Sequence, residues 1–169
     1  MMECAALEFA GMLGRFAEAV QGNDGAGLAG LFTADGVYED GFFGPHAGRA
    51  EIASMLQRFH DGGREYWWEF VDPVCVGDLG YARWRFSYGS RRAGAEGQPV
   101  LFEGISQFRL EGGLIAYYFE MFDRGLALAQ QGYPAAGIAS VVAKAAARQN
   151  AKVENRGHLG RFGKLGERT

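Results

Sequence analysis

Several residue types are scarce in this chain of 169 residues, and each scarcity closes off a class of protein. There are 2 cysteines, Cys4 and Cys75. Two thiols this far apart build no disulfide framework, and neither has a Cys or His at zinc-ligand spacing, so both are expected to be reduced and buried. The 3 histidines, His46, His60 and His158, also lack ligand spacing, and no metal site is expected. Prolines number 4; the 27 glycines beside them follow no three-residue period, so they mark turns and not a collagen-like repeat. No apolar run approaches the ~18 residues of a membrane span. The start, Met1-Met2-Glu3-Cys4, is acidic where a secretory leader carries positive charge. A cytoplasmic protein with no membrane partner is the expectation.

Basic charge is scarce over most of the chain. Residues 1–143 hold 10 Lys and Arg against 18 Asp and Glu, whereas residues 144–169 hold 7 against 2. An acidic body with a short basic tail is not the footprint of a nucleic-acid binder. With 48% hydrophobic and 14% aromatic residues, the chain carries enough apolar material for one packed domain.

The hydrophobic period changes once along the chain. Phe9, Leu13, Phe16 and Val20 fall on one helical face. Gly22-Asn23-Asp24-Gly25 ends that helix, and Asp24 is placed to cap a second one bearing Leu28, Leu31 and Phe32. Val37 to Asp40 reads as a short strand, Gly41 to Pro45 as a loop, and Ile52, Met55, Leu56 and Phe59 as a third helix. From there the period is two, with strands over 65–73, 81–88, 100–110 and 114–122 in an antiparallel meander. In the second of these Trp84, Phe86 and Tyr88 alternate with Arg83, Arg85 and Ser87, giving one face to the core and one to water or a partner. A short helix over 124–131 follows, then an Ala-rich helix over 137–150. The pattern predicts an α+β fold: a cone-shaped, curved antiparallel sheet over three N-terminal helices, with residues 1–134 as the domain and 135–169 as an added helix and basic tail. Leu159, Phe162 and Leu165 recur in that tail, either as a loosely ordered terminus or as an arm over a partner subunit.

The run from Leu31 to Asp40 (LFTADGVYED), with Gly44 to Ile52 (GPHAGRAEI) after it, resembles the nuclear transport factor 2-like superfamily and, more narrowly, its SnoaL-like group. A second match runs from Gly113 through Tyr118, Glu120, Phe122 and Asp123 to Gly132. The resemblance covers roughly residues 5–134 and implies the cystatin-like cone. It leaves function open, because this scaffold hosts isomerases, dehydratases, cyclases, epoxide hydrolases and non-catalytic binders. Against bacterial steroid isomerases, Asp40 falls where that family keeps its proton-abstracting carboxylate. That family's tyrosine donor falls on Phe16, and its second donor near Ser106. Against limonene-epoxide hydrolases, Glu120 falls on a catalytic acid, while that family's other acid and its arginine fall on Trp84 and Phe86. Neither complete machinery is implied.

The expectation is therefore an apolar pocket for a small hydrophobic or aromatic molecule, working without cofactor, with Asp40 as base and Glu120 as acid. Phe16, Tyr38, Trp84, Phe86, Ser106, Tyr118 and His46 are the candidate binding residues, and such a pocket ordinarily spans roughly 300–1,000 Å³. Each acid has an alternative role. Asp40 suits the cap of the turn that follows it, and Glu120 suits an ion pair with Arg83, Arg85 or Arg109. A non-catalytic binding or dimerisation module is the competing reading. Tyr117, Phe119 and Met121 would leave an apolar stripe on the outer sheet face, which predicts a homodimer.

Overall fold

A computed structural model describes residues 2–163, with side chains over 7–162. Cys4 and Leu165 thus lie outside the described side chains. The chain divides into two compact units, Met1–Gly132 and Tyr133–Thr169.

In the first unit, helices α1 (Met2–Gln21) and α2 (Gly25–Gly30) precede strands β1 (Phe32–Asp40) and β2 (Gly44–Ala47). Helix α3 (Arg49–Asp61) follows, then β3 (Gly63–Val76), β4 (Leu79–Ser90), β5 (Pro99–Glu111), β6 (Leu114–Phe122) and α4 (Arg124–Gln130). The six strands form one sheet in the order β2-β1-β6-β5-β4-β3. The α+β class holds, with three differences from the sequence reading. The strand expected over Val37 to Asp40 is present within β1, but the segment after it, read as a loop, leads into a second strand, β2, and closes a β-hairpin between the second and third helices. The sheet is mixed, because β1 runs parallel to β6 while every other pairing is antiparallel. The third difference is that Phe32 opens β1 and is not part of α2. A six-residue helix with three glycines propagates poorly, and the Ile115 N–H donates to the Leu31 carbonyl at 2.8 Å, pulling the chain onto β6.

The cap read from sequence is present: Asp24 Oδ1 accepts the Gly27 N–H at 2.8 Å. Phe9, Leu13, Phe16 and Val20 of α1 are all buried against the sheet, beside Ile52, Met55 and Leu56 of α3. The alternation in β4 is realised residue by residue, with Ala82, Trp84 and Phe86 inward and Tyr81, Arg83 and Arg85 outward. Pro73 sits where it breaks no inner ladder, at an irregularity of the edge strand β3. Gly104 allows β5 to pass close to the core; a Cβ there would run into the Trp84 indole and the Met121 carbonyl.

The second unit holds α5 (Ala135–Ala151), a short 3₁₀ turn (Val153–Asn155) and α6 (Arg156–Gly163). The start of the basic tail, from Arg156 to Gly163, is thus helical. Among the described residues no helix is long and apolar enough to cross a membrane.

Candidate active site

The parallel pairing of β1 with β6 sets Tyr38 beside Tyr118, with ring centroids 4.4 Å apart. One step of two along each strand then carries Asp40 and Glu120 to the same inner end of the sheet. Strand alternation separates Glu39 from them, and its carboxylate accepts the Tyr117 hydroxyl. Both candidate acids line one cavity.

The turn joining β1 to β2 is hydrogen-bonded to both acids. Asp40 Oδ1 accepts the N–H of Phe42 at 2.7 Å and of Phe43 at 2.6 Å. The Gly41 N–H donates to Glu120 Oε1 at 2.9 Å. Arg124 Nε donates to the Gly41 carbonyl, holding the turn from the far side. Gly41 has no Cβ to strike the Phe122 ring, so the turn can lie this low.

A chain of donors reaches Glu120 from within the core. Trp84 Nε1 donates to Ser106 Oγ at 2.8 Å, Ser106 Oγ to Tyr118 Oη at 2.8 Å, and Tyr118 Oη to Glu120 Oε2 at 2.9 Å. An indole nitrogen only donates, so Ser106 Oγ accepts at that end, and the chain closes with the Tyr118 O–H aimed at the carboxyl. The surface ion pairs considered for Glu120 are not formed. Arg83 pairs with Asp72 and Glu103, and Arg85 with Glu69, all on the outer face, where Arg109 is also exposed.

These surroundings separate the two carboxyls. Burial first, and then the Asp40 charge, push Glu120 up to about 8, against the opposing pull of the Gly41 N–H, the Tyr118 hydroxyl and Arg124. Asp40 is also raised by burial, but the Phe43 and Phe42 N–H groups, His46 and Arg124 all favour its charged form. Glu120 is thus the proton-holding member near neutral pH and Asp40 the one equipped to carry charge. Tyr38 and Tyr118 are raised well above the ordinary tyrosine range, by burial and then by the Glu120 carboxylate, and remain neutral donors.

The cavity wall is almost wholly apolar: Val20, Leu28, Met55, Leu56 and Phe59 from the helices, and Phe42, Trp68, Trp84, Phe86, Phe102 and Phe122 from the sheet side. It is narrower than a ligand pocket was expected to be. The space open to the centre of a water molecule is about 30 Å³, room for one or two waters. Phe42 is half-buried and packs edge-on against Phe122 and Phe102, occupying space a ligand would need.

Of the residues singled out in the sequence, Tyr38, Asp40, Trp84, Phe86 and Glu120 line this cavity together. Four others do not. Phe16 is wholly buried behind the wall, against Tyr38, Trp68 and Tyr118, because α1 lies too close to the sheet to leave space there. Ser106 and Tyr118 are also wholly buried and act on Glu120 through the donor chain. His46, on β2 opposite Tyr38, is half-buried with Nε2 lacking a protein partner, and it reaches the site only through its effect on Asp40. Asp123 is the cap of α4, accepting the Leu126 N–H at 3.0 Å. Sequence reasoning missed Trp68, Phe102 and Phe42. For Trp68 a signal existed: Glu65, Trp67 and Glu69 share one parity, which leaves Tyr66, Trp68 and Phe70 to face inward.

Among the described residues, no three His, Cys, Asp or Glu side chains gather in a metal-binding group.

Known proteins place this geometry in a family. No curated protein matches the sequence. Solved structures similar in fold include a hypothetical protein from Catenulispora acidiphila with a ketosteroid isomerase-like fold, in complex with trimethylamine. It is 23% identical with a TM-score of 0.67, over 74% of this chain and 95% of that one. A putative polyketide cyclase from Xanthomonas campestris is 22% identical with a TM-score of 0.61, over 75% and 98%. An epoxide hydrolase of the LEH-like type from M. tuberculosis is 17% identical with a TM-score of 0.62, over 83% and 98%. The family model described as "SnoaL-like domain" matches residues 13–118, most of the first unit, and the chain belongs to that family.

Proposed function

We propose that this SnoaL-like protein takes a small hydrophobic or aromatic molecule into the aromatic cavity and acts on it by cofactor-independent acid/base chemistry. Asp40 is the base and Glu120 the acid, in a reaction of the isomerase, dehydratase, cyclase or epoxide-hydrolase type. The observation that carries this reading is the pair of carboxyls in one apolar cavity, one holding two backbone N–H groups and the other pushed toward its protonated form. The trimethylamine held by the Catenulispora relative supports a small-molecule site in this fold. Entry of an aromatic ring requires the Phe42 side chain to rotate away from Phe122 and Phe102 while the N–H bonds of its turn to Asp40 and Glu120 are kept.

A second reading, a non-catalytic binding module, is favoured by one feature: Asp40 Oδ1 is already engaged as the cap of its own turn. One experiment separates the two. 2-Indanone, a planar ketone with acidic α-protons, is incubated with the protein in D₂O while melting temperature and α-deuteration are followed. The enzyme reading expects both stabilisation and faster exchange. At about 100 times Kd, stabilisation of about 2.7 kcal/mol raises Tm by roughly 5–10 °C. Stabilisation without exchange is the binder's result. Neither effect contradicts both.

The proposal includes a homodimer formed through the outer sheet face. Trp67, Leu101, Ile105 and Met121 are each at least half exposed there, with Ile105 directly opposite Met121. Ion pairs of Arg83 and Arg85 lie among them. Light scattering at micromolar concentration should give a dimer mass, and Ile105→Glu should shift it to monomer by placing charges in the interface. A monomer mass for the unaltered chain contradicts this.

A further inference from the structure

We propose that the indole N–H of Trp68 orients the ligand by donating to an acceptor atom on it, so that the cavity selects aromatic molecules bearing such an acceptor. The inference rests on the cavity being a ligand site, as proposed above.

The three tryptophans of the chain differ in what their N–H groups do. Trp67 is 66% exposed and its indole is open to water. Trp84 donates to Ser106. Trp68 is 6% exposed, forms part of the cavity wall, and its Nε1 is buried with no acceptor in the protein. The rings packed on it are Phe16, Phe70, Trp84 and Phe86, at centroid distances of 5.0–5.6 Å, and none carries an acceptor oxygen. Buried tryptophan N–H groups ordinarily find a partner, because an unmet donor is costly in an apolar setting. Here the residue with the unmet donor forms part of the wall of the cavity that also holds Asp40 and Glu120. The other polar groups of the wall are engaged: Glu120 by Gly41 and Tyr118, Asp40 by Phe42 and Phe43, Tyr38 by Tyr118, and Trp84 by Ser106. A ligand acceptor at Trp68 would satisfy the donor and fix which end of the molecule meets the carboxyls. A hydrocarbon of the same shape would leave it unmet, which is how a buried polar group discriminates.

The probes are 2-indanone and indane, alike in shape and differing by one carbonyl. With the full chain labelled in ¹⁵N and ¹³C, three indole N–H resonances are expected; Trp67→Phe assigns the exposed one by its disappearance, and through-bond correlation to the assigned backbone tells Trp68 from Trp84. The Trp68 resonance should move downfield with 2-indanone and stay nearly in place with indane, since both ligands impose the same ring currents. The unaltered protein should bind the ketone on the order of tenfold more tightly. Trp68→Phe should abolish that preference while leaving indane affinity within about twofold. Should Trp68→Phe not fold, the resonance shift in the unaltered chain decides alone. Equal shifts with both probes, or a ketone preference that survives Trp68→Phe, overturn the role of Trp68 and leave the cavity reading standing. Binding of neither probe overturns the cavity reading and this inference with it.

Discussion

Asp40→Asn should slow deuterium exchange into 2-indanone by on the order of 10²–10⁴, the usual worth of a positioned general base. The substitution is close to isosteric. Its amide oxygen can take the place of Oδ1 and keep the Phe42 and Phe43 N–H bonds at 2.7 and 2.6 Å, so the turn stays where it is. What is lost is the proton acceptor. Affinity for the ketone, read by the same thermal shift, should therefore survive. That combination separates loss of chemistry from loss of structure. Unchanged exchange in Asp40→Asn would remove Asp40 from the reaction. A fall in affinity equal to the fall in exchange would make Asp40 a structural cap alone.

The second large effect concerns stability and pH. Glu120 sits at about 8 in the folded chain, against about 4.3 for an unfolded glutamate. Between those two values the folded state holds a proton that the unfolded state has released. Stability contributed by Glu120 is therefore complete below about pH 4 and is lost as pH rises toward 8. Asp40 is displaced in the same direction by burial and adds to the same trend. The loss attributable to Glu120 is on the order of a few kcal/mol for a group this deeply buried. Glu120→Gln cannot ionise; its amide oxygen can still accept the Gly41 N–H, with the amide NH2 then donating to the Tyr118 hydroxyl oxygen. Urea midpoints measured at pH 5 and pH 8 should fall steeply for the unaltered chain and much less for Glu120→Gln. Parallel curves would show that Glu120 is not the group titrating.

Much of the scaffold was legible because its signals are local. The Arg83–Trp84–Arg85–Phe86 alternation in β4 and the Phe9–Leu13–Phe16–Val20 stripe in α1 each state their period and their buried face within a dozen residues. The parallel pairing of β1 with β6 was not legible, since it joins Tyr38 to Tyr118 across most of the first unit and no local pattern encodes it. The donor chain was hidden for the same reason. Ser106 meets Tyr118 only because β5 and β6 hold Ser106 opposite Glu120 and Phe108 opposite Tyr118. Residue type at Asp40 and Glu120 pointed to acids in an apolar setting, and the resemblance singled out both. It did not reveal that one turn, 41–43, would donate to both of them. Phe16 was misplaced because a helical stripe shows which face is buried without showing how closely the sheet approaches it.

The central claim is that one cavity holds two carboxyls in different protonation states. Selective ¹³C labelling of aspartate and glutamate side chains, with carboxyl shifts followed from pH 3 to pH 10, tests it directly. The account predicts that Asp40 titrates first and that Glu120 keeps its proton to about pH 8. Glu120 titrating in the ordinary range near pH 4.5, or losing its proton before Asp40 does, would contradict the assignment of acid and base.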